Sequence, residues 1–469
     1  MIVRWQPVST STASIAKMEN ILLACGNVVL CIEGRILPAV QVVGRLKLDA
    51  LLMAVFPTGQ DKAFVSPTRA SSGVPAESSL AMAAGMKSGP LGLYIHVPFC
   101  ATTCDFCAFY QTVPKADAVP RYLEAIAQEA TLIEWGGRKA STVFWGGGTP
   151  GLLRPAELEK LGQTVLRYTG GAPEEWSVEL APATVTTDRL AVLRALGVTR
   201  VSMGVQSFRP ELLDALGRQH TTTQIYRAYE LIRAAGFPSV NIDLMFALPN
   251  QSEAEWRADL DEAVRLAPDH ISTYCLTFEE DTALWVKLSQ GKVKLDPAKE
   301  AEFYLRAWDA LAETGYAQYE VSNFAHPGHV CAHNLNTWRM HEWVGLGPSG
   351  ASQHAGWRSS NPPDLVQWHA DLAEGRRSTA DRTELTPQLL AADSITFGLR
   401  LNEGVSLPGL RRRFPTPLWE RFFDLVPRML MEGLVVDSSE GRIRLTPRGR
   451  LLADAVGAEV IAAFSEDSD

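Results

Sequence analysis

From Leu91 onward the chain alternates short β-rich runs with longer segments of helical period, and this alternation leaves few folds open. Strands that follow one another in the same sense need a helix to carry the chain back across the sheet, so the pattern builds a parallel sheet covered by helices. The runs fall at Leu91 to Val97, Thr142 to Trp145, Trp176 to Leu180, Arg200 to Val205, Asn241 to Phe246 and His270 to Leu276. Helices are expected over Val119 to Trp135, Ala156 to Tyr168, Thr187 to Leu196, Glu211 to Leu216, Thr222 to Ala235 and Glu253 to Leu266. Pro155 and Pro210 fit helix starts, and Gly136, Gly197 and Gly236 fit helix ends. The expected class is α/β, an open, partial (β/α)6 barrel, whose working residues gather at the carboxyl ends of its strands.

The flanking segments read differently. Residues 1–90 show no clear period, and from Ser66 to Pro90 the composition turns to Ser, Ala, Gly and Pro, as in a linker or disordered extension. Met86 stands just ahead of the first strand, so this extension also fits a start called too far upstream. The apolar run Ile21 to Ile32 is interrupted by Cys25, Gly26 and Asn27 and falls short of the ~20 residues a membrane-spanning helix needs. Lys17 and Glu19 directly before it fit a secretory signal poorly, which points to the cytoplasm, with the hydroxyl-rich stretch Ser9 to Ser14 leaving a mitochondrial leader open. The barrel and its extension are expected over 91–375 and a further domain over 376–463. In the latter, helical segments precede a hairpin of Gly433 to Val436 with Arg442 to Leu445, a winged-helix-like α+β pattern. Its run Arg411, Arg412, Arg413 reads as a solvated helix face, and the net charge of −9 gives no footprint for nucleic acid.

Three of the seven cysteines crowd into one loop directly after the first strand. Cys100, Cys104 and Cys107 stand at C-x3-C-x2-C spacing, unlike a secreted disulfide framework. Three thiolates hold three irons of a 4Fe-4S cubane and leave the fourth corner open for chemistry. The same residues also fit a zinc site completed by His96 or a distant histidine.

The cysteine loop resembles that of the radical S-adenosylmethionine (SAM) superfamily, whose fold is a partial barrel of the TIM type. From Leu93 to about Ala463 the chain is similar to the oxygen-independent coproporphyrinogen oxidase group, and within it to the HemW-type haem chaperones. The motifs that carry this are Tyr94 to Cys100, Gly146 to Pro150, Gly204 to Phe208, Tyr319 to Ala325, His333 to Trp338 and Gly345 to Pro348. The resemblance implies a 4Fe-4S cluster on the three cysteines and SAM chelated at the open iron. It assigns SAM contacts to Tyr94, Gly147, Gly148, Thr149 and Glu179, and a second SAM pocket to Gln206, Arg218 and Asp243. Turns, core packing and a buried polar network are the plain alternatives for these positions. Asp243 is notable within an apolar strand, since a buried charge needs a partner, and Arg218 is the expected one. His333, followed by Asn334 and Trp338, implies haem ligation, with Thr337 where the family usually has Tyr; His329, Cys331 and His341 are alternatives, as is a core role.

Two functions follow from the resemblance. One is a haem chaperone that hands haem to respiratory haem proteins, some at the membrane, with a homodimer left open. The other is coproporphyrinogen III decarboxylation to protoporphyrinogen IX. The oxidases typically carry a fourth cysteine two residues past the third; Phe109 stands there instead, and the strand ends carry no basic cluster beyond Arg218 for an acidic substrate. The chaperone is the expected function.

Overall fold

In the computed structural model all six parallel strands form where the sequence places them: β1 (Leu91–Val97), β2 (Thr142–Gly147), β3 (Glu175–Leu180), β4 (Arg200–Gln206), β5 (Ser239–Phe246) and β6 (His270–Cys275). The structure describes residues 89–438 and 441–465, together with two short strands, Ile2–Arg4 and Val29–Cys31. The other expectations for the N-terminal extension lie outside the described residues. Two compact units result, Gly89–Glu384 and a second one from Leu385 onward.

The helices of the first unit are α1 (Ala118–Thr131), α2 (Pro155–Thr169), α3 (Thr187–Leu196), α4 (Pro210–Ala215), α5 (Thr222–Ala234) and α6 (Glu253–Leu266). Local signals set their ends. Thr221 with Gln224 and Ser252 with Glu255 form capping boxes, while Gly170 and Gly197 take the left-handed conformation that ends a helix. The apolar faces of the helices cover one side of the strands, where Trp145, Trp176, Val201, Ile242 and Ile271 are fully buried.

The opposite side of the strands is polar and lines a lumen. Within otherwise buried runs, Tyr94, Phe144, Glu179, Gly204 and Asp243 are half-buried and Tyr274 is exposed. The parallel register pairs Tyr94 with Phe144 and Gly204 with Asp243, so these positions form one inward layer. Side chains alternate across a strand, and only the face turned from the helices escapes burial.

The sheet continues beyond the six predicted strands. After α7 (Ala283–Ser289) and α8 (Pro297–Glu313) come β7 (Ala317–Gln318) and β8 (Asn323–Ala325), and β8 pairs antiparallel with β6. Helix α9 (Ala332–Trp338) leads into β9 (Glu342–Leu346), which adds a seventh parallel strand on the free side of β1. Strands β10 (Ala351–His354), β11 (Trp357–Ser360) and β12 (Asp381–Glu384) extend that edge, with α10 (Leu365–Ala373) between the last two. The twelve strands run β12-β11-β10-β9-β1-β2-β3-β4-β5-β6-β8-β7, and the barrel stays open. Its last strand lies past residue 375.

The second unit has helices α11 (Pro387–Arg400), α12 (Leu407–Arg413), α13 (Thr416–Met431), α14 (Pro447–Leu451) and α15 (Ala453–Ser465). Strands β13 (Val405–Ser406), β14 (Val435–Ser438) and β15 (Arg442–Leu445) form an antiparallel sheet in the order β13-β15-β14. Its core holds Ile395, Phe422, Ile443 and Val460. In the basic run, Arg411 lies over the Phe423 ring at 5.9 Å and Arg413 over Phe414 at 5.2 Å. Two of the three guanidinium groups are thus engaged within the unit. Among the described residues, no helix is long and apolar enough to cross a membrane.

Candidate metal centre and cofactor site

The three cysteines sit at the carboxyl end of β1, in a loop tied down on several sides. Thr112 accepts from Cys100 N–H at 3.1 Å and donates to the Pro98 carbonyl at 2.7 Å. Asp105 donates its N–H to Leu216 O at the end of α4, accepts from Leu284 N–H, and pairs with Lys287 at 2.7 Å. All three thiols are half-buried and free of disulfides. Burial raises the Cys100 thiol and pushes Cys107 up to about 11, so without a metal these thiols keep protons that iron would displace.

The loop fits a cluster better than a zinc ion. His96, the nearest candidate for a fourth zinc ligand, has both ring nitrogens committed: one faces the Tyr110 carbonyl at 2.8 Å and the other the Tyr94 hydroxyl at 3.2 Å. A carbonyl only accepts, so Nε2 carries the proton and Nδ1 accepts from Tyr94. Among the described residues, no three His, Cys, Asp or Glu side chains gather around a point for a single ion. A cubane needs no such convergence, because each thiolate binds a different iron.

The glycine run is built against the cysteine loop. Gly148 N–H donates to Val97 O at 2.8 Å and Thr149 N–H to Phe99 O at 2.7 Å. Gly147 N–H bonds the Glu179 carboxyl, and the Thr149 hydroxyl lies 3.5 Å from Cys100 Sγ. The N–H groups of Gly148 and Thr149 are therefore taken by the protein itself. An ammonium group such as the amino group of SAM would need carbonyl oxygens rather than N–H groups as its partners. Glycine is required at Gly148, where a Cβ would stand 2.7 Å from Val97 O and 2.8 Å from Phe99 O, whereas at Gly146 it would meet only the movable Glu179 carboxyl.

Glu179, Gln206, Arg218 and Asp243 are brought to one mouth. A Cβ on Gly204 would lie 3.0 Å from Gln206 Nε2 and 3.1 Å from Arg218 Nη2. Gln206 reaches this position through a bulge after Gly204, with φ of 69°. Arg218 donates to Gly204 O at 2.6 Å and to Cys104 Sγ at 3.4 Å, while its buried Nε has no partner. That orphaned donor suits an anionic ligand group. The expected Arg218–Asp243 pair does not form. Asp243 instead accepts from Ser202 at 3.0 Å and Asn241 at 2.8 Å, and the charge that steadies it is Arg200. Burial, reinforced by Asp243, pushes Glu179 up to about 8.

Glu179 gives a pH test. Between the ordinary carboxyl value and about 8 the folded protein holds a proton that the unfolded chain has released, so stability falls as pH rises through this window. In Glu179→Gln the thermal midpoint of the apo protein is expected to fall less between pH 5 and pH 8 than in the parent. Equal slopes would contradict the buried, protonated carboxyl.

His333 lies elsewhere. Gly92 and Thr142, which it touches, begin β1 and β2, so His333 sits under the barrel at the end opposite the cysteines. Its Nδ1 is 3.0 Å from Thr142 Oγ1, it is 6% exposed, and burial lowers it to about 4. In this conformation the ring offers no open face to a porphyrin. Helix α9 is seated there by Glu175, which accepts from the N–H groups of Ala332 and His333, both at 2.9 Å. Sequence reasoning missed Phe144, Ser202, Asn241 and Tyr274, which inward alternation along each strand could have found.

Fold and site together define a radical SAM protein. Residues 94–263 match the Radical SAM superfamily and residues 385–452 the HemN C-terminal domain. The solved coproporphyrinogen III oxidase HemN of Escherichia coli, a radical SAM enzyme, superposes with a TM-score of 0.70 at 25% identity, covering 83% of this chain and 93% of that one. The haem chaperone HemW of Bacillus subtilis is 32% identical over 79% of this chain and 98% of its own length. HemW of E. coli is 38% identical over 56% of this chain and 70% of its own. The chain belongs to the HemW family. Membership of the superfamily brings with it a 4Fe-4S cluster and SAM.

Proposed function

We propose that the protein is a haem chaperone of the cytoplasm that binds haem and delivers it to respiratory haem proteins, with cluster and SAM held at the barrel mouth. The observation that carries this reading is kinship over nearly the full length of a relative named haem chaperone, 98% of it. The lumen supports it against the decarboxylase. Its basic groups, Arg200 and Arg218, are engaged with the His329 and Gly204 carbonyls, and its carboxyls are Glu175, Glu179 and Asp243. A substrate bearing several propionates would find there two guanidinium groups that already donate to backbone carbonyls.

Cys100, Cys104 and Cys107 would hold the cluster, which with SAM supplies one-electron chemistry when bound. The chain's own part is binding and orientation. Thr149 steadies Cys100, Arg218 steadies Cys104, the glycine carbonyls receive an ammonium, and Glu179 holds a proton it can donate to a ribose hydroxyl. His333, the motif's haem ligand, would reach a porphyrin only after α9 leaves its seat.

The test pairs two measurements on protein reconstituted under argon. Haem titration is expected to give a saturable Soret shift, while SAM, reductant and coproporphyrinogen III yield no protoporphyrinogen IX at turnover. Catalytic vinyl formation would reverse the reading. Loss of the Soret shift in His333→Ala would keep His333 as ligand, and an unchanged band would assign the ligand elsewhere.

A further inference from the structure

The motif Tyr319 to Ala325 is used by neither the cluster nor the pocket as described. Tyr319 stands just ahead of β8, and its hydroxyl is 2.9 Å from His270 Nε2. His270 Nδ1 lies 2.6 Å from Asn241 Oδ1, and the Asn241 amide nitrogen reaches Asp243 Oδ1 at 2.8 Å and Ser202 Oγ at 2.6 Å. The protons can be assigned from one end. A carboxylate accepts, so Asn241 turns its NH2 to Asp243 and its carbonyl to His270; Nδ1 then carries the proton, and Nε2 accepts from the Tyr319 hydroxyl. The Tyr319 oxygen in turn receives the Cys331 N–H at 3.4 Å. Cys331 is the residue directly before α9. Every donor in this chain therefore points from the start of α9 toward Asp243, and burial keeps His270 neutral.

We propose that His270 and Tyr319 are positioning residues that hold Asn241 and Asp243 in one orientation and tie the filling of the SAM pocket to the seating of helix α9. The inference rests on Asp243 lining that pocket. Glu175 and Thr142 anchor the start of α9 to the floor of the barrel, whereas the Tyr319 contact leads on to the mouth. In a low-dielectric interior such a chain is mutually polarised, so a ligand that engages Asp243 strengthens the hold on α9, and by linkage a seated α9 favours the ligand.

The experiment uses the full chain with its cluster reconstituted. Amide hydrogen exchange over residues 332–338 is expected to slow about fivefold or more when SAM is added, as a gain near one hydrogen bond requires. Tyr319→Phe, which keeps the ring, is expected to retain its iron, weaken SAM binding about five- to tenfold by equilibrium dialysis and abolish the SAM-dependent slowing. Exchange in the parent that ignores SAM, or slowing that persists in Tyr319→Phe, overturns the inference. Asp243→Asn separates the two failures. If it weakens SAM binding while Tyr319→Phe does not, the coupling alone is wrong; if it leaves binding unchanged, the pocket and the coupling fall together.

Discussion

Replacing Cys104 by alanine is expected to reduce iron from about four atoms per chain to less than about one, with loss of the brown colour. With one thiolate gone, two irons of a cubane lack a protein ligand and the cluster has two anchors left. Cys104 is also the sulfur that receives Arg218 at 3.4 Å, so the substitution leaves that guanidinium with its hydrogen bond to Gly204 O. Iron and sulfide analysis under argon reads the effect, and far-UV circular dichroism checks the fold. Cys275→Ala and Cys331→Ala serve as controls that should keep their iron, since Cys331 lies against Glu175 under the barrel and Cys275 ends β6. Full iron retention by Cys104→Ala, or stoichiometric zinc in the parent protein, would defeat the assignment of the metal centre.

Gly148→Ala is expected to be nearly as damaging. The added methyl would stand 2.7 Å from Val97 O, 2.8 Å from Phe99 O and 2.9 Å from Phe99 N, which are backbone atoms at the entry to the cysteine loop. Backbone cannot swing aside as a side chain can, so the strand end and the loop must separate, at a cost of about 3 kcal/mol in stability. The same displacement moves the glycine carbonyls away from the thiols, and SAM affinity is expected to drop by about a hundredfold or more, or about 2.7 kcal/mol. Thermal melting reads the first effect and equilibrium dialysis the second. Parent-like values in both would show that the glycine run is only a turn.

How far these sites could be read from residues alone depended on the range of the interaction. The strands and the helix ends at Gly197 and Gly236 are local matters, settled within a few residues by side-chain period and capping chemistry, although α1 stops at Thr131, short of Gly136. The three-cysteine spacing is local too, because the loop must bring its own thiols to one cluster. The partner of Asp243 was not legible. Alternation put a carboxylate on the inward face and suggested Arg218, but which groups reach it depends on the β4–β5 register, which brings Ser202 and Asn241 alongside.

His333 shows the same limit more sharply. A His-Asn motif carries no mark of which end of a barrel it will close, and β9 was not counted among the parallel strands. Only when β9 pairs with β1 does α9 come to lie beneath the strands, with His333 against Thr142. What the sequence determined by itself was the six strands, their helices and the cluster loop, because each is set by the period and spacing of residues close in the chain. The tertiary structure alone decided which polar groups share the lumen and which end each faces, since those contacts join different elements, from Ser202 with Asp243 to Thr142 with His333, and exist only once every strand is in register.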